Sequence, residues 1–206
     1  MARLFGTDGV RGIANQELTC ELAFQLGQAS ATVLASQVRR PTLLVGRDTR
    51  VSGDMLEAAL VAGICSVGAQ AVLVGVLPTP GIAYLTHLYE ADAGVVISAS
   101  HNGVAYNGIK FFDRAGFKLP DAVEDQIEAL IRDGLDRLRM PIGAAVGRPV
   151  RQLNAQRAYT KFLIGTTMQR FDGLHVVLDC AHGASSMIAP EVFQSLGATV
   201  TAFYHE

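Results

Sequence analysis

The sequence predicts an α/β sandwich built on a largely parallel sheet. Short runs that are apolar on both faces recur along the chain, at Thr42 to Gly46, Ala71 to Val74 and Gly94 to Ile97. Windows with helical apolar spacing lie between them, and strands buried on both faces belong to sheets covered by helices on each side. The composition agrees: half of the 206 residues are hydrophobic and 17% are charged. Such a chain has ample apolar surface to bury, which excludes disorder.

The elements follow in order. Thr19 to Ala35 reads as a helix with Leu22, Leu26, Ala29 and Val33 on one face. After the strand Thr42 to Gly46, Ser52 is a candidate cap for a helix whose Leu56, Leu60, Ile64 and Val67 recur at helical spacing until Gly68 stops it. Ala71 to Val74 is the next strand, Gly81 to Tyr89 a short helix behind Pro78 and Pro80, and Gly94 to Ile97 a strand followed by a polar loop from Ser98 to Asn107. Ile109 to Phe112 reads as a strand joined through an Arg114-Ala115-Gly116 turn to Phe117-Lys118-Leu119. A helix is predicted from Asp121 to Asp133.

Met140 to Pro149 is rich in Gly, Pro and Ala, has little periodicity, and reads as a domain boundary between residues 1–145 and 150–206. Beyond it are predicted a helix from Asn154 to about Met168, a strand His175 to Asp179, a helix opening near Pro190 and a strand Thr199 to Phe203. Ser66-Val67-Gly68-Ala69 and Ser195-Leu196-Gly197-Ala198 each close a helix and open a strand. Two related βαβ units in tandem are the simplest reading, with chance recurrence of Gly-Ala as the alternative. Two strands and a helix or two cannot enclose their own core. The second unit is therefore expected either to pack on the first or to belong to a larger protein.

Charge and cysteines narrow the function classes. Net charge is −2, and the 17 Lys and Arg residues are spread along the chain. That pattern disfavours nucleic-acid binding, which concentrates basic residues on one face. Cys20, Cys65 and Cys180 are odd in number and widely spaced, as expected in a reducing cytoplasm. The N-terminus, Met1-Ala2-Arg3-Leu4-Phe5-Gly6, lacks the apolar stretch of a signal peptide. The densest apolar run, Ala71 to Leu77, is far short of the roughly 20 residues of a membrane span. A cytoplasmic location without membrane partners is the expectation.

The chemistry concentrates in Ile97 to Lys110. Ser98, Ser100, His101, Asn102, Gly103 and Gly108 follow directly on a buried strand, where open α/β sheets form ligand crevices. Glycines let backbone N–H groups approach an anion, and Lys110 supplies a point charge. Phosphoryl handling by a serine nucleophile and a plain polar surface loop both fit. Competing motifs fail on spacing: no serine stands in G-x-S-x-G, no two glycines stand two apart, and Ile109 precedes Lys110 where a P-loop needs Gly. The five histidines show no HExxH pattern.

Two more loops are candidates. Phe5 to Gly12 sets Gly6, Gly9 and Gly12 at intervals of three around Thr7, Asp8 and Arg11, a composition that suits an oxyanion contact or a tight turn. Gly46 to Gly53 places Arg47 and Arg50 at a strand end, either facing a phosphate or braced internally by Asp48.

These blocks together resemble the α-D-phosphohexomutases. Phe5 to Gly12, Gly46-Arg47-Asp48-Thr49-Arg50 with Ser52 to Met55, Leu77-Pro78-Thr79-Pro80-Gly81 and Ser98-Ala99-Ser100-His101-Asn102 stand in the family's order and spacing, and the resemblance covers essentially the whole chain. It implies a three-layer α/β/α domain I with a mixed, largely parallel sheet, followed by an incomplete, related domain II. It further implies a reversible phosphoryl shift between O6 and O1 of glucosamine phosphate through a sugar bisphosphate, feeding cell-wall amino-sugar synthesis.

By the same resemblance Ser100 carries the phosphate, which also ligates Mg²⁺. Lys110 matches the general acid/base, His101 aids proton transfer or orientation, and Thr7, Arg11 and Asn102 face the substrate and its phosphate. Hexosamine phosphate and sugar bisphosphate are the implied partners, and exposed apolar faces of an incomplete domain would favour homo-oligomers.

Several positions depart from the family. Gly103 stands where Pro is usual and widens the conformational space of the loop that presents Ser100. Tyr106 stands where this branch has Asp and resembles the phosphomannomutase branch, and His182 replaces Asn in Asp179 to Ala184. The family's Asp-Gly-Asp-Gly-Asp metal loop, Glu-x-Ser-Gly-His sugar loop and Arg-Pro-Ser-Gly-Thr phosphate loop do not occur in the 206 residues. The expectation is a mutase portion inactive alone; a truncated sugar-phosphate or partner-binding module, or a phosphomannomutase or phosphoglucomutase, are the alternatives.

Overall fold

The computed structural model describes residues 3–35 and 40–205. Met1 and Ala2, where the predicted first domain and the N-terminal stretch expected to lack a signal peptide begin, and Glu206, where the predicted second domain ends, lie outside the described residues. Six strands form one mixed sheet in the order β1-β5-β4-β2-β3-β6: β1 (Val10–Ile13), β2 (Thr42–Arg47), β3 (Gln70–Val76), β4 (Ala93–Ile97), β5 (Tyr106–Asp113) and β6 (Pro149–Arg151). β4, β2, β3 and β6 run parallel, while β5 runs antiparallel to both β4 and β1. The helices are α1 (Cys20–Ala35), α2 (Ser52–Ser66), α3 (Thr79–Leu88), α4 (Asp121–Asp133), α5 (Ala155–Gly165) and α6 (Ala189–Ser195). β7 (His175–Asp179) and β8 (Thr199–Phe203) form a separate parallel pair.

The strand side chains sort the helices into layers. Leu43 and Val45 of β2 and Val95 and Ile97 of β4 point into a core shared with Leu26 of α1, Leu56, Leu60 and Ile64 of α2 and Ile127 of α4. Leu44 and Val96, one residue out of step, point to the other face and meet Ile82 and Leu85 of α3 and Tyr159 of α5. The result is the three-layer α/β/α arrangement expected from the motifs, with β2 and β4 buried on both faces. No helix among the described residues is long and apolar enough to cross a membrane.

Several local expectations shift. Val10–Ile13, read as part of a turn, is a strand because β5 offers it four consecutive antiparallel partners; a four-residue segment containing Arg and Gly has no strand signature by itself. β5 begins at Tyr106 rather than Ile109 for the same reason. Phe117 to Leu119 makes a single bridge, Phe112 to Lys118, rather than a strand. Ser52 opens α2 but does not cap it: Val51 already has helical dihedrals, and the Ser52 hydroxyl accepts from Asn107 Nδ2 at 3.0 Å instead. Thr19 does cap α1, accepting from the Leu22 amide at 3.2 Å.

The Gly- and Pro-rich stretch before Pro149 contains a 3₁₀ turn, Gly143–Ala145, and leads into β6, which joins the first sheet beside β3. α5 then lies against α3, where the rings of Tyr84 and Phe162 stack 3.8 Å apart. The second unit is thus fastened to the first through α5 and through Ile188, which enters the core beside Ile82.

Candidate active site

The sheet order creates a crevice. From β2 the chain crosses through α2 on one face to β3, then through α3 on the opposite face to β4, which pairs with the other edge of β2. The order reverses between β2 and β4, and their carboxyl ends are where α/β sheets hold ligands. The Asp48 amide donates to the Ile97 carbonyl at 3.0 Å, so the two strand-end loops start side by side. An open cleft of 540 Å³ lies above them, lined by Asp48 to Arg50, Pro78 to Pro80, Ser98, Ser100, His101 and, from the second unit, Ala181, Gly183 and Ala184.

Ser100 is presented by a tight turn. Ser98 is buried; its amide donates to the Gly108 carbonyl at 2.8 Å, and its hydroxyl accepts from the Ser100 amide at 3.0 Å. The Asn102 amide closes the turn onto the Ala99 carbonyl at 3.1 Å. Ser100 itself has φ of 57°, a left-handed conformation that costs a non-glycine residue about 1–2 kcal/mol. Strain of this kind persists where surrounding structure over-determines it, and it concentrates at functional sites. The exposed Ser100 Oγ lies 3.4 Å from His101 Nδ1; which of the two donates depends on the imidazole tautomer.

A second group is assembled around Asp8. Lys110 is buried in β5 and places Nζ 2.6 Å from Asp8 Oδ2. The same oxygen accepts from Arg11 Nη2 at 3.0 Å, and Arg11 Nη1 donates to Asn102 Oδ1 at 3.0 Å. Asp8 therefore links Arg11 and Lys110, and Arg11 links both to the serine turn. Gly9 makes this approach feasible: its φ is +80°, and a Cβ there would stand 2.3 Å from the Ile109 carbonyl oxygen. Thr7 is exposed in the same turn. Of the six predicted site residues, Ser100 meets His101, while Arg11, Asn102 and Lys110 form one chain through Asp8.

Three further residues take part whose contacts have no signature in the sequence. Asp8 belongs to a loop whose composition suits an oxyanion contact or a tight turn, and nothing in its neighbours signals that β1 would lay it against Lys110. Asn107 is fully buried and ties β5 to α2 through Ser52. Arg50 is the third; its Nε donates to Asp48 Oδ2 at 3.0 Å, the internal brace, and its remaining N–H groups reach the serine loop. Arg47 pairs with Asp54 at 2.5 Å and lies 3.6 Å from Glu57. Burial pushes the Glu57 carboxyl above its ordinary range, against the opposing pull of Arg47. Both arginines are thus braced by carboxylates, while Arg50 also lines the cleft.

A donor set for a divalent cation can be tested on the same contacts. The Asp48 carboxylate is engaged by Arg50 and that of Asp8 by Arg11 and Lys110. Among the described residues no group of three or more His, Cys, Asp or Glu side chains converges. Ser100, once phosphorylated, would offer one ligand, so these residues do not make a Mg²⁺ site by themselves.

With this geometry in view, comparisons with known proteins become specific. The family model for phosphoglucomutase/phosphomannomutase, alpha/beta/alpha domain I, matches residues 2–137. A phosphoglucosamine mutase of Thermoanaerobacter sp. (strain X514) is 58% identical over 200 residues, covering 97% of this chain and 44% of that protein. One from Ruminiclostridium cellulolyticum is 58% identical over 207 residues, covering all of this chain and 46% of the other. The chain thus spans less than half the length of the curated relatives it matches. In structure it is similar to a phosphoglucomutase/phosphomannomutase family protein from Burkholderia thailandensis, with a TM-score of 0.83 over 99% of this chain and 44% of that one, at 24% identity, a likeness that speaks for the fold alone. The matched domain model and the identity along the whole chain lead to one conclusion: this chain belongs to the phosphoglucomutase/phosphomannomutase family.

Proposed function

We propose that the chain is the phosphoserine-bearing part of a phosphoglucosamine mutase, acting in the cytoplasm on glucosamine phosphate and its bisphosphate. The observation that carries this reading is Ser100: an exposed hydroxyl on a left-handed turn, over a cleft at the carboxyl ends of β2 and β4. The relatives named phosphoglucosamine mutase support the choice of hexosamine.

In this reading Ser100 Oγ takes a phosphoryl group from a sugar bisphosphate. The Oγ–P bond forms, the P–O bond to the sugar breaks, and the serine proton ends on the departing sugar oxygen. Lys110, held by Asp8, serves as the proton-holding group on the side of β1, and His101 orients the Ser100 hydroxyl. Arg11 and Asn102 fix the turn next to the incoming phosphate, with Thr7 exposed beside them. No step in this chain's own residues runs through Mg²⁺, since they do not form its site; the mutase cycle then requires ligands from outside these 206 residues.

The division proposed is a first domain over residues 1–145 and the start of a second over 150–206, joined by β6. Incubating the chain with a hexosamine bisphosphate should add one phosphoryl group, located by peptide mapping at Ser100 and lost in Ser100→Ala. Phosphate found elsewhere, or unaltered by Ser100→Ala, would overturn the assignment. In a coupled assay the chain alone should not turn over glucosamine 6-phosphate; turnover near that of the longer relatives would contradict the reading.

A further inference from the structure

We propose that Arg50 is the positioning residue of the Ser100 turn, holding the loop by its carbonyls so that its amides face the cleft; this rests on Ser100 being the phosphoryl acceptor. A guanidinium has five N–H donors, and all five of Arg50 are used. Nε donates to Asp48 Oδ2 at 3.0 Å. Nη1 donates to the carbonyls of Gly103 at 2.8 Å and Tyr106 at 3.1 Å. Nη2 donates to those of Ser100 at 2.9 Å and Asn102 at 2.7 Å. Asp48 fixes the cation a second time, since its Oδ1 accepts from the Arg50 amide at 3.0 Å.

Geometry converts these contacts into an orientation. In a planar trans peptide the N–H of residue i+1 points opposite to the C=O of residue i. With the Ser100, Asn102 and Gly103 carbonyls turned down onto Arg50, the amides of His101, Gly103 and Val104 point away from it, and none of the three donates to an acceptor among the described residues. Outward amides on a turn form a surface that receives an anion. Arg50 thereby explains how Ser100 is held at a positive φ without a glycine's freedom, and why the open space around Gly103 does not unravel the loop. It also separates roles: with no donor left over, Arg50 binds no substrate phosphate, and its effect passes through the loop.

Lysine cannot replace it, because an ammonium offers three donors and no planar fork. In Arg50→Lys, exchange of the Asn102 and Tyr106 amides, protected now by the Ala99 and Gly103 carbonyls, should accelerate while amides of β2 and β4 keep wild-type rates. The single-turnover rate of Ser100 phosphorylation by hexosamine bisphosphate should fall by about 100-fold, the scale expected for a misplaced reacting group. The half-saturating bisphosphate concentration should stay within a factor of three. Unchanged loop exchange overturns the proposal, as does an unchanged rate. A raised half-saturating concentration at an unchanged rate overturns it too, by making Arg50 a substrate ligand. If the wild-type chain takes no phosphate, it is the reading of Ser100 that fails, and the exchange pattern alone decides for Arg50.

Discussion

The chain contains the same supersecondary unit twice, with opposite degrees of cover. β2-α2-β3 and β7-α6-β8 are both parallel pairs bridged by a helix, and each helix ends before a glycine with positive φ, Gly68 at 90° and Gly197 at 103°. In the first unit Leu43 to Gly46 are all buried. In the second, β7 alternates exposed and half-buried residues, and Val177 is 62% exposed. Local chemistry built both units alike; neighbours made only one of them a core. β2 is flanked by two strands and roofed on both faces, whereas β7 and β8 have each other and α6.

Substitution at matched positions tests the comparison most severely. Leu44→Ala, in β2, should cost about 2–5 kcal/mol, because it opens a cavity among Ile82, Leu85 and Tyr159. Val177→Ala, in β7, should cost less than about 0.5 kcal/mol, as at other solvent-facing sites. Thermal melts of the two variants would break the comparison if they fell equally.

The glycines should instead behave alike. Gly68→Ala and Gly197→Ala each force a side chain into the left-handed region, at about 1–2 kcal/mol apiece. The new Cβ would also press on a neighbour at each site, the Ala145 carbonyl oxygen at Gly68 and the Asp172 carboxylate, held by Arg170, at Gly197. A large loss at one glycine and none at the other, in chemical denaturation, would mean that the repeat is only a matter of sequence.

The junction between the units gives a smaller effect. Thr49 Oγ1 donates to the His182 carbonyl at 2.7 Å, across the cleft, onto a turn whose Ala181 and His182 both have positive φ. Thr49→Val should cost about 0.5–1 kcal/mol and speed exchange of the His182 amide, now bonded to the Tyr204 carbonyl. Unchanged exchange would show that the second unit holds this turn without the first.

The smallest effect is one of pH. Burial raises the Glu57 carboxyl above its value in the unfolded chain, so the native state favours its neutral form. Its ionisation therefore opposes folding: stability is fully retained below the unfolded value and is lost as pH rises from there through the raised folded one. Glu57→Gln should flatten this slope by about 2 °C in the melting temperature between pH 4 and 7. A slope unaltered by the substitution would assign it to another group.

The sequence determined a good deal of this molecule. Runs apolar on both faces located β2 and β4, helical periodicity located α1, α2 and α4, and β7 and β8 were legible to the residue, because each pattern is local. Ser98 to Lys110 was legible as a site because hydroxyls, imidazole and amide fall directly after a buried strand. The tertiary structure decided what those residues touch. β1 acquired its identity from β5, whose Gly108 pairs with Arg11 from 97 residues further along the chain. That pairing puts Asp8 on Lys110, and the β2 to β4 pairing puts Arg50 beneath the serine turn. A cation saturated by four carbonyls has no linear signature, since carbonyls belong to every residue; only the fold selects which of them converge.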